Sequence, residues 1–160
     1  MPLALYSGTF DPVTKGHQDI VERAAKLFEK VVVGIFDTPS KTLLFSTEER
    51  VDLFCRAVPH LSNVQVLPYR GLTVDFAREI GAAAMVRGVR SITDVDYEAA
   101  MVMMNRKLQP QVDTVFLYTS LEYQFVSSTL IKEVVRYGGD ITSLVAEHVA
   151  AALKEKYRTA

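Results

Sequence analysis

Hydrophobic positions along this chain fall into two alternating patterns. Five short apolar runs have the length of strands, and stretches with helical spacing separate them. Most of the runs are apolar throughout, as expected for strands that are buried on both faces of a parallel sheet. The pattern predicts an α/β fold: a doubly wound five-stranded parallel sheet with right-handed crossovers, in a single domain of residues 1–160. The predicted strands are residues 3–6, 31–36, 64–67, 83–86 and 114–118.

Helices are predicted between and after these strands. The first begins near His17, because Ile20, Val21 and later apolar residues follow it at helical spacing. The second begins at Ser46, which forms a capping box with Glu49, and it ends near residue 59. Further helices are expected at 74–80 and 95–108, after residue 127, and over the apolar positions Leu144, Val145, Val149, Ala152 and Leu153.

The predicted helix at 95–108 is apolar on almost every side. Its centre reads Ala-Ala-Met-Val-Met-Met over residues 99–104. Such a helix is expected to be covered on more than one side. A core helix is one interpretation, and a contact between subunits is the other.

Composition narrows the class of protein. The chain has 160 residues, 49% of them hydrophobic and 23% charged, and a formal net charge of −1. No overall basic field attracts nucleic acid, so nucleic-acid partners are not expected. The single Cys55 excludes an internal disulfide and is expected to be a small core residue. Neither a signal peptide nor a membrane span is predicted, so a cytoplasmic protein without a membrane partner is expected.

The segment between the first strand and the first helix is suited to binding an anion. Residues 6–17 read Tyr-Ser-Gly-Thr-Phe-Asp-Pro-Val-Thr-Lys-Gly-His, so the segment contains a glycine turn and delivers His17 to the helix start. Free backbone N–H groups and the positive end of the helix dipole favour a phosphate there. The alternative is that His17 serves only as an ordinary capping residue.

Basic residues are expected at the same edge of the sheet. Arg87 and Arg90 flank Gly88 after the fourth predicted strand, and Lys41 follows the second. Guanidinium groups bind phosphate oxygens in a bidentate fork, so the two arginines predict a phosphate clamp. Alternatively, they pair with Asp94 and Asp96, and Lys41 is a solvated loop charge.

Two further groups complete the predicted site. Residues 123–129 read Tyr-Gln-Phe-Val-Ser-Ser-Thr and lead into the fifth helix, where hydroxyl groups serve either as caps or as phosphate donors. Glu98 and Asn105 share a helix face, and Glu98 requires a partner, either a nucleotide ribose or an arginine. Loops after four strands thus converge on one edge of the sheet, where parallel sheets bind ligands.

The ordered set of motifs resembles the phosphopantetheine adenylyltransferase family of the nucleotidyltransferase superfamily. The superfamily signature (T/H)xGH is matched by Thr-Lys-Gly-His at residues 14–17, and the match runs from residue 3 to about residue 137. The other matching motifs lie at residues 8–12, 39–41, 87–90, 97–98, 104–106 and 126–129. The resemblance implies a Rossmann-like nucleotidyltransferase fold and transfer of AMP from ATP to 4'-phosphopantetheine. The products would be dephospho-coenzyme A and pyrophosphate, in the penultimate step of coenzyme A synthesis.

The resemblance also implies a role for each matching residue. Phosphopantetheine would contact Thr9, Lys41, Thr73, Arg87 and Asn105. ATP would contact Thr9, Phe10, His17, Gly88, Val89, Arg90, Glu98, Tyr123, Gln124, Phe125, Val126, Ser127, Ser128 and Thr129. Members of the family are homohexamers that use Mg²⁺, so both are expected here, with Mg²⁺ held mainly by ATP phosphates rather than by protein ligands.

The chemistry of this reaction defines the catalytic groups. A phosphate monoester is already ionised near neutral pH, so it attacks the α-phosphorus without a general base, and catalysis depends on alignment and charge neutralisation. We therefore expect His17 to stabilise charge on the α-phosphate, together with Lys41 and Arg90. Arg87 would position the acceptor phosphate, and Mg²⁺ would bridge phosphates of ATP.

The sequence alone is also compatible with other functions. Cytidylyltransferases and nicotinamide mononucleotide adenylyltransferases share the histidine signature and differ in the acceptor. A regulatory module that binds nucleotide without catalysis would keep the phosphate loops. A structural assembly protein would need the apolar helix but not the converging loops.

Overall fold

The computed structural model describes residues 2–37 and 42–158. Within them, five strands form one parallel sheet in the order β3-β2-β1-β4-β5. The predicted doubly wound five-stranded sheet is therefore confirmed. The strands are β1 (Leu3–Gly8), β2 (Lys30–Phe36), β3 (Val64–Tyr69), β4 (Ala84–Val89) and β5 (Asp113–Tyr118). The helices are α1 (Lys15–Leu27), α2 (Thr47–Ala57), α3 (Thr73–Glu79), α4 (Ile92–Leu108), α5 (Ser128–Arg136) and α6 (Glu147–Arg158), with a short 3₁₀ turn at Leu121–Tyr123.

The sheet is covered on both faces by apolar side chains. On one face, α1, α2, α5 and α6 pack buried residues such as Ile20, Phe54 and Ile131 over Ala4 and Val33. On the other face, α3 packs over Leu5 and its neighbours. Successive strand residues point to opposite faces, so Ala4 and Leu5 belong to different clusters. This double cover explains why the strands read as continuous apolar runs.

Three strands continue beyond their predicted carboxyl ends. β1 continues through Gly8, β3 continues through Tyr69, and β4 continues through Val89 because Arg87, Gly88 and Val89 pair with β5. Arg87 and Gly88 therefore lie within β4 rather than in the following loop. The regular sheet consequently holds the Arg87 backbone in place.

Three residue placements were predicted incorrectly. Cys55 is exposed, because α2 turns Leu53, Phe54 and Ala57 towards the core and leaves Cys55 on the outer side. Leu144 and Val145 precede α6, which begins at Glu147, rather than lying within the last helix. The predicted capping box at Ser46 and Glu49 is confirmed.

The apolar helix α4 lacks full cover within the described part of the chain. It contacts β4 and β5, yet none of its residues is fully buried. Tyr97 is 87% exposed and Met103 is 73% exposed. The expected cover on more than one side is therefore absent among the described residues. No helix in this part of the chain is long and apolar enough to cross a membrane.

Candidate active site

The candidate site lies where the strand order reverses. β1 lies between β2 and β4, so the chain winds away from β1 in both directions. Open α/β sheets bind ligands at the carboxyl ends of the strands at such a switch point. Three cavities lined by described residues meet there. We name them the central cavity (His17, Arg87, Thr129 and Lys132), the Arg90 cavity (Arg90, Thr119 and Ser127) and the Asn105 cavity (Thr73, Glu98 and Asn105).

His17 is fixed at the start of α1 by Thr14. The Thr14 side chain accepts from the His17 backbone N–H at 3.4 Å, and the Thr14 backbone N–H donates to His17 Nδ1 at 3.0 Å. His17 is thus both part of a capping box and a lining residue of the central and Arg90 cavities. The capping and functional interpretations of His17 are compatible.

The electrostatic environment keeps the His17 ring neutral. Burial, and after it the nearby Arg90 guanidinium, lower the pKa of His17 to about 4. Because Nδ1 accepts the Thr14 N–H, the proton of the neutral ring lies on Nε2. His17 can therefore donate a hydrogen bond from Nε2 at pH 7 but is not a cation.

Phe10 packs its ring against His17 from the preceding turn. The two ring centroids are 4.9 Å apart in an edge-to-face arrangement. Phe10 has a φ of 49°, in the left-handed region that non-glycine residues rarely occupy. A Cβ at Gly8 would lie 2.9 Å from the tip of the Phe10 ring, so glycine is needed at that position.

Arg87 separates the central cavity from the Asn105 cavity and lines both. Its guanidinium makes a bidentate ion pair with Glu98, at 2.7 and 3.1 Å, and donates to the Ser7 carbonyl at 3.1 Å. Of the partners expected for Glu98, the structure shows the arginine. The acid that holds Arg87 is Glu98, rather than Asp94 or Asp96.

Arg90 is held by an acid and a backbone carbonyl at the second cavity that His17 lines. Its backbone N–H donates to Asp94 at 2.7 Å, and its guanidinium lies 3.7 Å from the same carboxylate. The guanidinium also donates to the Val126 carbonyl at 3.4 Å. The alternative pairing of Arg90 with Asp94 is therefore present, and Arg90 still lines its cavity beside His17.

The Asn105 cavity brings together residues from two helices and three strands. Thr73 begins α3, whereas Glu98 and Asn105 lie on the inner face of α4. The Thr73 hydroxyl is 2.9 Å from the Tyr69 hydroxyl, which fixes its position. Three residues predicted to contact phosphopantetheine, Thr73, Arg87 and Asn105, thus line one cavity.

Residues of the 123–129 segment have different roles, because some make local hydrogen bonds, some line cavities and one is exposed. Ser127 caps α5 through the Leu130 N–H, and Ser128 donates its hydroxyl to the Pro12 carbonyl at 2.8 Å. Ser128 and Thr129 line the central cavity, and Val126 and Ser127 line the Arg90 cavity. Phe125 is instead 59% exposed.

The other residues predicted to contact the substrates lie in the central cavity, at the end of β4 or near the 3₁₀ turn, except for Lys41. Thr9, Phe10 and Gly88 line the central cavity, and Val89 is buried at the end of β4. Tyr123 lies beside Gly16, and Gln124 ends the 3₁₀ turn. Lys41 lies outside the described residues.

Sequence reasoning missed two charged residues of the central cavity. Lys132 and Asp11 both line it and form an ion pair of 2.7 Å. A signal was available, because Lys132 lies four residues after Ser128 and therefore on the same face of α5. Asp11 gives no comparable signal beyond its place in the motif at residues 8–12.

Comparisons with known proteins identify the family of this chain. A cytidylyltransferase-like family model matches residues 5–134. The chain is 52% identical over 159 residues to a phosphopantetheine adenylyltransferase of Thermomicrobium roseum, covering 98% of this chain and 95% of the relative. This chain belongs to the phosphopantetheine adenylyltransferase family. The phosphopantetheine adenylyltransferase of Heliobacterium modesticaldum is 48% identical over 157 residues, covering 98% and 94% of the two chains.

A solved structure supports the fold of this phosphopantetheine adenylyltransferase family member independently. It is that of a provisionally assigned nicotinate-nucleotide adenylyltransferase from Vibrio parahaemolyticus, with a TM-score of 0.67. The two share 20% identity, and the match covers 94% of this chain and 97% of the other. At this identity the likeness shows the nucleotidyltransferase fold alone.

Proposed function

We propose that this chain transfers AMP from ATP to 4'-phosphopantetheine, giving dephospho-coenzyme A and pyrophosphate in coenzyme A synthesis. The observation that carries the proposal is the position of Arg87, which lines both the cavity containing His17 and the cavity containing Thr73 and Asn105. A nucleotide on one side and an acceptor on the other would meet at this residue. The names of the two close relatives support the same reaction.

The chemical step needs no covalent intermediate. An oxygen of the acceptor phosphate forms a bond to the α-phosphorus of ATP while the bond to the β-phosphate oxygen breaks and pyrophosphate leaves. The acceptor oxygen is already ionised, so no proton has to be removed. Neutral His17 donates from Nε2 to the α-phosphate, where charge develops, and Arg90 adds positive charge beside it. We propose that Lys41 shares this role.

The nucleotide phosphates would lie at the start of α5. Ser128 and Thr129 line the central cavity in the first turn of this helix, whose N–H groups and dipole favour anions. The rest of ATP would contact the residues at 9–10, 88–90 and 123–127. Glu98 would have to give up part of its contact with Arg87 to reach a ribose.

Mg²⁺ is proposed to enter with the nucleotide. The described residues contain no cluster of three or more side chains that could hold a metal ion. Mg²⁺ often keeps several waters and binds substrate phosphates in preference to an all-protein cage. The donor set of these described residues thus does not fit a dedicated metal centre, and we assign no step to a protein-bound metal.

The exposed apolar face of α4 is proposed to form contacts between subunits of a homohexamer. Met101, Met103 and Met104 are exposed along this face. Burying them against another copy would stabilise the assembly by roughly 25 cal/mol for each Å² of apolar surface removed from water. We also propose that the single nucleotidyltransferase domain works in the cytoplasm.

Pyrophosphate release tests the proposed reaction. Purified protein with Mg²⁺ and ATP is given 4'-phosphopantetheine, pantetheine, nicotinamide mononucleotide or glycerol 3-phosphate, with CTP in place of ATP in parallel. We expect release only with ATP and 4'-phosphopantetheine. Release with another pair would assign the chain a different acceptor or donor, and binding of ATP without release would indicate a regulatory module.

A further inference from the structure

The connection between β5 and α5 forms part of the wall of the Arg90 cavity. We name residues 119–127 the β5–α5 loop, and three of them, Thr119, Val126 and Ser127, line that cavity. The middle of the loop lies at the surface, where Leu121 is 83% exposed. A surface loop of this kind depends on contacts with the rest of the fold to hold its position.

Asp19 of α1 holds the first part of the loop. Its Oδ2 accepts the backbone N–H of Ser120 at 3.0 Å, and its Oδ1 accepts the Ser120 hydroxyl at 2.8 Å. Arg23, one turn later on α1, lies 3.4 Å from Asp19 Oδ2 and donates to the Tyr118 carbonyl at the end of β5. Both carboxylate oxygens of Asp19 thus accept from the loop, and hydrogen bonds to a charged group are stronger than those between neutral groups.

The anchoring at Ser120 continues along the loop to the cavity wall. The Tyr123 N–H donates to the Ser120 carbonyl at 2.9 Å, and the Val126 N–H donates to the Tyr123 carbonyl at 3.0 Å. The Val126 carbonyl in turn accepts from the Arg90 guanidinium at 3.4 Å. A series of hydrogen bonds therefore connects Asp19, which lines none of the three site cavities, with a guanidinium that lines one of them.

The loop also packs on the first turn of α1. A Cβ at Gly16 would lie 3.7 Å from the Tyr123 Cβ and 3.8 Å from the Thr119 methyl carbon, which are ordinary van der Waals distances. Gly16 precedes His17, and both line the Arg90 cavity with Thr119. The position of the loop on α1 therefore sets the width of this cavity.

We propose that Asp19 is a positioning residue for recognition of the nucleoside of ATP, because it holds the β5–α5 loop against α1 and so fixes the cavity that receives the base and ribose. The phosphates would lie at the start of α5 and the acceptor beside Arg87, which leaves the Arg90 cavity to the nucleoside. Ile20 and Val126 give this cavity apolar surface for a base. The identity of the nucleotide rests on the proposed function.

The test compares binding of ATP and of 4'-phosphopantetheine to the full chain by calorimetry. Asp19→Ala should weaken ATP about tenfold and change 4'-phosphopantetheine less than about twofold, since the loop is released only on the nucleoside side. In turnover, KM for ATP should rise by the same factor while KM for the acceptor is unchanged. Asp19→Asn keeps an acceptor for the Ser120 N–H and should retain most of the affinity.

Glu22→Ala is the matched control. Glu22 is an acid on the same helix, pairs with His60 at the surface and lines none of the three site cavities. Its removal should leave both affinities unchanged. If Asp19→Ala does not fold, Ser120→Ala replaces it, because this variant removes one of the two bonds to Asp19 and should weaken ATP about threefold.

A purely structural role for Asp19 predicts a different result. In that case Asp19→Ala lowers the thermal midpoint and leaves the ATP affinity unchanged, or it weakens ATP and 4'-phosphopantetheine equally. Either result would overturn the proposal. An unchanged ATP affinity in Ser120→Ala, or a loss in Glu22→Ala as large as that in Asp19→Ala, would also overturn it.

Failure of the proposed function would look different from failure of this inference. The wild-type chain would then bind ATP, and Asp19→Ala would weaken that binding, but no dephospho-coenzyme A would form from ATP and 4'-phosphopantetheine. Conversely, normal product formation by the wild-type chain with unchanged ATP affinity in Asp19→Ala would contradict the inference alone.

Discussion

Thr14 donates its backbone N–H to Nδ1 of His17 over 3.0 Å, and this contact makes Nδ1 the acceptor nitrogen of the ring. The proton of the neutral imidazole is placed on Nε2, the atom free to donate to a phosphate oxygen. The segment between β1 and α1 thereby determines which nitrogen of His17 can donate in the proposed reaction.

Removing the His17 ring should reduce turnover more than binding. We expect His17→Ala to lower kcat roughly a hundredfold or more, as for loss of one preorganised donor, with little change in ATP affinity. The measurement is steady-state kinetics with calorimetric binding of ATP. His60→Ala is the control, because His60 lies on the surface beside Glu22. A near-normal kcat in His17→Ala would remove the residue from the catalytic set.

His17 should titrate near pH 4 in the folded chain. Burial, and then Arg90, lower its pKa to about 4 from 6.5. As pH falls from about 6.5 to about 4, the unfolded chain binds a proton that the folded chain does not, so this residue makes folding less stable in that window. NMR of the ring protons, compared with His60, checks the value. A pKa close to 6.5 would contradict the burial of the ring.

The ion pair of Arg87 and Glu98 should control the affinity for the acceptor, 4'-phosphopantetheine. Arg87→Met removes a charge-assisted contact to the acceptor phosphate, so KM for 4'-phosphopantetheine should rise about tenfold or more while ATP binding changes little. Arg56→Met is the control, since Arg56 forms an exposed i,i+4 pair with Asp52. An equal loss of ATP affinity would place Arg87 on the nucleotide side instead.

The apolar face of α4 should govern assembly. Light scattering of the wild-type chain is expected to give about six times the chain mass of 17.9 kDa. Met103→Glu places a charge on the exposed face and should yield smaller species, whereas Leu121→Glu, on an exposed turn elsewhere, should not. A monomeric wild-type chain would refute the subunit contact.

Most of the fold could be predicted because its signals are local. Continuous apolar runs marked the five strands, and Ser46 with Glu49 marked the start of α2. The prediction errors lie where tertiary contacts, rather than the local sequence, determine the structure. Pairing with β5 extends β4 to Val89, and the rotation of α2 that buries Phe54 exposes Cys55.

The candidate site was predictable in part for the same reason. His17 and Arg90 follow strand ends, Arg87 lies near the carboxyl end of β4, and the topology alone brings strand ends to one edge. The ion pair of Lys132 with Asp11 joins residues 121 positions apart, so no local sequence pattern predicts it. The four hydrogen bonds of buried Arg50, including those to the Thr9 and Phe36 carbonyls, likewise depend on how the loops fold together.

Oxygen labelling of the acceptor tests the central claim most directly. The phosphate of 4'-phosphopantetheine is labelled with ¹⁸O, and the products of reaction with unlabelled ATP are examined by mass spectrometry. Direct attack by the acceptor phosphate on the α-phosphorus predicts that dephospho-coenzyme A retains all of the label and that pyrophosphate contains none. Label in pyrophosphate, or no dephospho-coenzyme A from a chain that binds ATP, would contradict the account.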